Sequence, residues 1–173
     1  MKRALKILLV LVLIALGAWA LWSYGCPFCQ AQTTPGKPSL PFSPAVKVNR
    51  MIYVSGQIGA SPESGVLAEA IRGQTRQALE NIKAIVEAAG SCLKHVVKTT
   101  VFLQDIGEWP AMNAIYAEYF PEEAPARSAV QAAGLPMGAR MEIEVVAVAC
   151  DCKEGECDDS PRSEAERGCG CQR

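Results

Sequence analysis

Histidine occurs once in these 173 residues, at position 95. A mixed metal site needing two imidazoles therefore cannot be completed from this chain, although an all-thiolate site still can. The G-x-S-x-G pattern of a nucleophile elbow is missing, and no Ser-His-acid set accompanies Ser55-Gly56-Gln57, which excludes a hydrolase built on that elbow. Net charge is nearly absent too: 17 cations against 18 anions leave a formal charge of -1, so no basic track for phosphates and no electrostatic case for nucleic acid exists. Charge of either sign is lacking from Ile7 to Gly25. That absence points to a membrane rather than to a packed core.

The uncharged run follows Lys2, Arg3 and Lys6 and is densely apolar as far as Trp22. A buried helix of a small domain shows a polar face at helical period, and this segment has none. Residues 1–25 therefore read as an export signal, with the domain carried outside the cytoplasm under the positive-inside rule. Ala18 and Ala20 offer an A-x-A cleavage pattern, whereas Trp19, Trp22 and Tyr24 resemble the aromatic belt of a retained anchor spanning the membrane through residues 7–24. A cleaved signal, leaving a secreted or periplasmic protein, and an uncleaved anchor both remain open.

The length allows one ordinary domain plus extensions. Half of the residues are hydrophobic, but the apolar block inflates that figure and the remainder has an ordinary soluble composition. Residues 26–39 read as a proline-rich linker holding Cys26-Pro27-Phe28-Cys29, and residues 40–150 as the domain. Within it Val46–Arg50 and Met51–Ser55 read as a hairpin, and Leu67–Ala89 as a long amphipathic helix stopped by Gly90. His95–Leu103 is β-branched and strand-like, Trp109–Phe120 helical, and Ser128–Ala132 and Arg140–Ala149 supply two more strands. The order ββαβαββ predicts an α+β fold: one mixed sheet with both helices on one face, the other face left for oligomerisation to cover.

Residues 151–173 form an acidic, cysteine-rich tail with too few apolar groups to repay ordering unless crosslinked or metallated. Eight cysteines in an exported chain read naturally as disulfides. The C-x-x-C lacks the strand–helix setting of a redox enzyme. The C-x-C pairs at Cys150 with Cys152 and Cys169 with Cys171 also suit a soft metal, and connectivity is not deducible. Cys92 reads as a small packed residue and His95 as structural.

The strand and turn Tyr53–Gly59 (YVSGQIG), the Asn81-Ile82 helix running into Ala88-Ala89-Gly90, VVKTTVFL, the Asn113 helix, APARSAV and the closing MEIEVVAVA occur in the order and spacing of one family. Over roughly two thirds of its length the chain resembles the Rid (YjgF) family. That resemblance implies a chorismate-mutase-like fold, a homotrimer with a barrel-like core and clefts between subunits. It also implies hydrolysis of enamines or imines such as 2-aminoacrylate to 2-oxo acids and ammonia, without cofactor or metal. Endoribonuclease activity, attributed to some members, finds no basic track here.

Residue by residue, Arg127 matches the arginine that grips the substrate carboxylate, a task suited to a guanidinium fork; the plainer reading is a surface ion pair. Glu142 matches the glutamate that positions or activates water, though Glu144 shares its face. Gly56 would permit close backbone approach to substrate, and the amide of Ala129, after Ser128, would donate to the carboxylate. Asn113 either meets substrate or joins helices to a neighbour. Two positions depart from the pattern: Phe42 stands where active members commonly carry tyrosine, and Ala129 where many carry cysteine. The lost hydroxyl makes weaker deamination, or a non-catalytic, membrane-tethered binder of small carboxylates or a redox- or metal-responsive protein, the competing reading.

Overall fold

The computed structural model describes residues 31–33 and 41–150. The apolar segment 1–25, the C-x-x-C with most of the linker, and the tail 151–173 lie outside the described residues. Among the described residues no helix is long and apolar enough to cross a membrane. The chain divides after Ala31 into two units, and the fold belongs to the second.

Chain alternation sets the first pairing. Ala45–Val48 (β2) and Met51–Ile58 (β3) form an antiparallel hairpin across Asn49, which takes a φ of 55°. Asparagine tolerates this left-handed turn conformation better than branched residues do. Ala31–Thr33 (β1), expected in the linker, instead form a three-residue strand, so the sheet runs β1-β2-β3 and continues through Met141–Val148 (β6), Val96–Leu103 (β4) and Ala126–Gln131 (β5). β4 and β6 fill its centre, and β5 closes the far edge in parallel with β4. The β4–β5 pair is parallel because Trp109–Tyr119 (α2) makes the crossover that such pairs require.

Ala70–Ala88 (α1) places Ile71, Ala78, Leu79, Ile82 and Val86 on its buried side. They pack with Ile52, Val101, Leu103, Met112, Tyr116, Ile143 and Val145 into one core, so both helices cover one face of one mixed sheet. The α+β architecture is as expected. α1 begins later than the apolar spacing suggests because the backbone of Val66 and Ala68 is already engaged: Ser61 N donates to Val66 O, and Ala68 N to Gly59 O. Leu67 accordingly bridges Ala60. His95 closes a 3-10 turn, Leu93–His95, ahead of β4 rather than opening the strand. β5 starts at Ala126, two residues early, which puts Arg127 inside the sheet.

Where β3 passes α1 the backbones nearly touch. A Cβ on Gly59 would stand 2.2 Å from Gln74 Cα and 2.5 Å from its carbonyl oxygen. Backbone on both sides cannot yield as a side chain would. Gly59→Ala should therefore cost about 1–3 kcal/mol, the usual scale of overpacking, seen as a lower urea midpoint with an unchanged slope.

A candidate active site in two halves

Arg127 lies on β5 opposite Thr99 of β4. Its side chain turns toward the helices, where α2 presents Trp109, Asn113 and Tyr116 at steps of four and three residues, one face of a helix. Arg127 Nη2 donates to Asn113 Oδ1 at 2.7 Å. The guanidinium carbon sits 4.4 Å from the Tyr116 ring centroid and 5.6 Å from that of Trp109. Tyr116 is fixed in turn by a 2.9 Å hydrogen bond between its hydroxyl and Thr99 Oγ1. Burial pushes the Tyr116 hydroxyl up from its ordinary value, so at neutral pH it stays uncharged beside the cation.

Among the described residues Arg127 forms no surface ion pair, the plainer reading of it: an amide and two aromatic faces hold the guanidinium, and the ion pairs there are Arg140–Glu108 and Arg76–Glu118. One of its five N–H donors is spent on Asn113, leaving others for an arriving carboxylate. Asn113 therefore positions Arg127. Ala129, two residues on, is half-buried against the core on the sheet's last strand.

Glu142 belongs to a different surface. It sits on β6 between the buried Met141 and Ile143, so it faces away from the helices. β3 bulges beside it: Val54 pairs with Val145 and Gln57 with Ile143, so Ser55 and Gly56 together oppose Glu144. A Cβ on Gly56 would stand 1.7 Å from Glu142 Oε1. Glycine makes room for the carboxylate, a more specific role than the close backbone approach expected from sequence. Ser55 Oγ donates to Ser43 O at 2.7 Å and Ser55 N to Pro44 O at 2.9 Å, drawing the Phe42–Pro44 segment alongside, with Phe42 53% exposed. Burial, and secondarily the charge of Glu144, pushes the Glu142 carboxyl above its ordinary value.

One chain does not bring the two halves together. Arg127 pairs with Thr99 and Glu142 with Phe102. The two residues are thus about 10 Å apart across two strand spacings and about 10 Å apart along the strands, on opposite faces of the sheet. Trp109, Tyr116 and Thr99 escaped the sequence reading. The 109-113-116 spacing was a signal for the first two, while Thr99 needed the β4–β5 register. Among the described residues no group of three or more His, Cys, Asp or Glu side chains is placed to hold a metal ion.

The family model described as Endoribonuclease L-PSP matches residues 32–149. The chain belongs to this family, the Rid family. Human 2-iminobutanoate/2-iminopropanoate deaminase is 50% identical to it over 109 residues, 62% of this chain and 80% of that protein. The chloroplastic Reactive Intermediate Deaminase A of Arabidopsis thaliana is 44% identical over 108 residues, 62% of this chain and 58% of that protein. Among solved structures, the Rid protein YyfA of Yersinia pestis is 41% identical with a TM-score of 0.66, covering 69% of this chain and 100% of its own. E. coli TdcF with bound serine is 36% identical with a TM-score of 0.62, covering 71% and 98%. The fold is the chorismate-mutase-like Rid fold.

Proposed function

We propose that this Rid protein hydrolyses small 2-imino acids, and the enamines that tautomerise to them, in clefts built between copies of the chain. The observation that carries the reading is Arg127, held by Asn113 and two aromatic rings with donors still open. Relatives about half identical in sequence bear the names of imine deaminases. In a 2-imino acid the carboxylate is bonded directly to the imine carbon. With the carboxylate on Arg127, Glu142 orients water against that carbon and accepts its proton. Collapse of the resulting carbinolamine releases ammonia and leaves the 2-oxo acid. Purified full-length protein should accelerate ammonia release from enzymatically generated 2-aminoacrylate, and a rate equal to the uncatalysed one would refute the reading.

A substrate this small cannot touch Arg127 and Glu142 of one chain, so the cleft must join the helix side of one copy to the open sheet face of the next. A head-to-tail contact of this kind makes a ring when its rotation closes, as in the homotrimer the family resemblance implies. The open face carries exposed Tyr53, Val97 and Val130, the apolar surface that a second copy would cover. Mixing tests this directly. Arg127→Ala and Glu142→Gln proteins, dissociated and reassembled together, should regain about a quarter of wild-type activity, because one site in four in a random ring draws an intact residue from each side. No recovery would mean that each site lies within one chain.

The Phe42 ring stands where the family pattern has a phenol. Phe42→Tyr restores one cleft hydroxyl, a hydrogen bond of about 0.5–1.5 kcal/mol, and should raise kcat/KM by up to about tenfold. The charge-free run from Ile7 to Gly25 behind Lys2, Arg3 and Lys6 supports action outside the cytoplasm; cell fractionation should recover the protein with the membrane, periplasmic or secreted fraction, and recovery with the cytosol would refute it.

A further inference from the structure

Three side chains that deamination does not use stand together at the end of β6 far from Glu142. Cys92, 7% exposed, follows α1, and its Sγ lies 3.6 Å from Nδ1 of the half-buried His95. β6 runs out beside the same turn: Cys150 N donates to Gly90 O at 3.1 Å, Ser91 Oγ donates to Val148 O at 2.6 Å, and Cys150 Sγ lies 3.7 Å from Gly90 O. Both thiols act on the imidazole. The hydrogen bond with Cys92 most of all, and the neighbouring Cys150, hold His95 above its ordinary pKa against the effect of burial. Lys47 Nζ lies 4.0 Å from the point where a Cβ on Gly90 would stand, so a further cation adjoins the cluster. The thiolate is the attacking form in thiol–disulfide exchange, and His95 is the base at hand to take its proton.

We infer that Cys92 and Cys150 form a thiol–disulfide exchange site, with His95 as its base, whose co-reactant is a small disulfide of the glutathione type. Cys150, the more accessible thiol, gives its proton to His95 and attacks one sulfur of the disulfide. A protein–glutathione S–S bond forms, the original S–S bond breaks, and one glutathione thiolate leaves and takes up a proton. Cys92 loses its proton in the same way and attacks the Cys150 sulfur, expelling the second glutathione. The two protein thiols are oxidised to one disulfide, one small disulfide is reduced to two thiols, and the two protons end on those thiols. Eight residue steps along β6 and just past its end separate Cys150 from Glu142, roughly 26 Å of extended chain, so the exchange is independent of the cleft. The new bond would tie the turn after α1 to the end of the central strand.

The test uses the reduced full chain with oxidised glutathione, quenched by alkylation and mapped by mass spectrometry of peptides. The expected product is a Cys92–Cys150 link. Cys92→Ser should halt at glutathione on Cys150, and His95→Asn should slow the first step by about tenfold at neutral pH. Unchanged far-ultraviolet circular dichroism separates these effects from misfolding. The inference fails if both thiols stay open to alkylation, or if Cys150 links to another cysteine such as Cys152. It also fails if Zn2+ alone shields both thiols while glutathione produces no link, which would make the cluster a metal site.

Discussion

Arg127→Ala should lower kcat/KM for imine hydrolysis by about a hundred- to ten-thousandfold. Each hydrogen bond to a charged partner contributes about 1.5–3 kcal/mol, and a guanidinium fork makes two, so about 3–6 kcal/mol is at stake. At about 1.4 kcal/mol per decade that gives the stated range. The carboxylate is present in both substrate and transition state, so part of the loss belongs in KM. The remainder falls on kcat, because a carboxylate no longer pinned in two places lets the imine carbon swing away from water. Arg127→Lys should recover little, since an ammonium offers a point charge where two parallel donors are needed. Stability should fall by no more than about 1–2 kcal/mol, the scale of the stacking on Tyr116 and Trp109. Steady-state kinetics beside thermal melts decide it: intact folding with unaltered kinetics would remove Arg127 from the site.

How far the sequence carries toward this arrangement depends on the range of the interactions involved. The hairpin, both helices and β6 were legible because local periodicity encodes them: Ile143, Val145 and Ala147 alternate with Glu142, Glu144 and Val146 and emerge buried against less buried. Element ends were not legible where a distant partner claims the backbone. Leu67 has helical spacing, yet its neighbours are engaged by Gly59 and Ser61. Arg127 and Glu142 could be named from the motif, but nothing in linear spacing says that they point to opposite faces of the sheet. That follows from the β5–β4–β6 register, in which Thr99 and Phe102 are three residues apart on the strand between them. The bulge at Ser55–Gly56 was equally hidden, because it exists only relative to β6. The cluster of Cys92, His95 and Cys150 was invisible for the same reason: Gly90, just after α1, and Cys150, just after β6, hydrogen-bonded at 3.1 Å, are brought together only by the packing of that helix end against the end of the strand.

Glu142→Gln should leave KM nearly unchanged and lower kcat by about a hundred- to ten-thousandfold, the usual range for a positioned general base. The amide keeps the shape that fits against Gly56 but cannot take a proton from water. The pH profile of the wild type carries the signature. Burial first, and the Glu144 charge second, raise the Glu142 pKa, and the working form is the carboxylate. Activity is therefore lost as pH falls through this raised value, earlier on acidification than for an ordinary glutamate. Glu144→Gln removes the repulsion but not the burial, so it should move the acid limb to lower pH while sparing kcat at neutrality. That distinguishes the two carboxylates, which the strand alternation places on one face. Stability should run the opposite way. A carboxyl whose pKa is raised by folding contributes stability that is fully present below its unfolded pKa and lost as pH rises through the folded one. Above its raised pKa the wild type has lost that contribution, whereas the amide introduced by Glu142→Gln never carries the charge whose desolvation is unfavourable. The inactive Glu142→Gln protein should thus melt no lower than the wild type at neutral pH, and a clear fall in its melting temperature would show that the charged carboxylate holds the fold rather than serving the reaction.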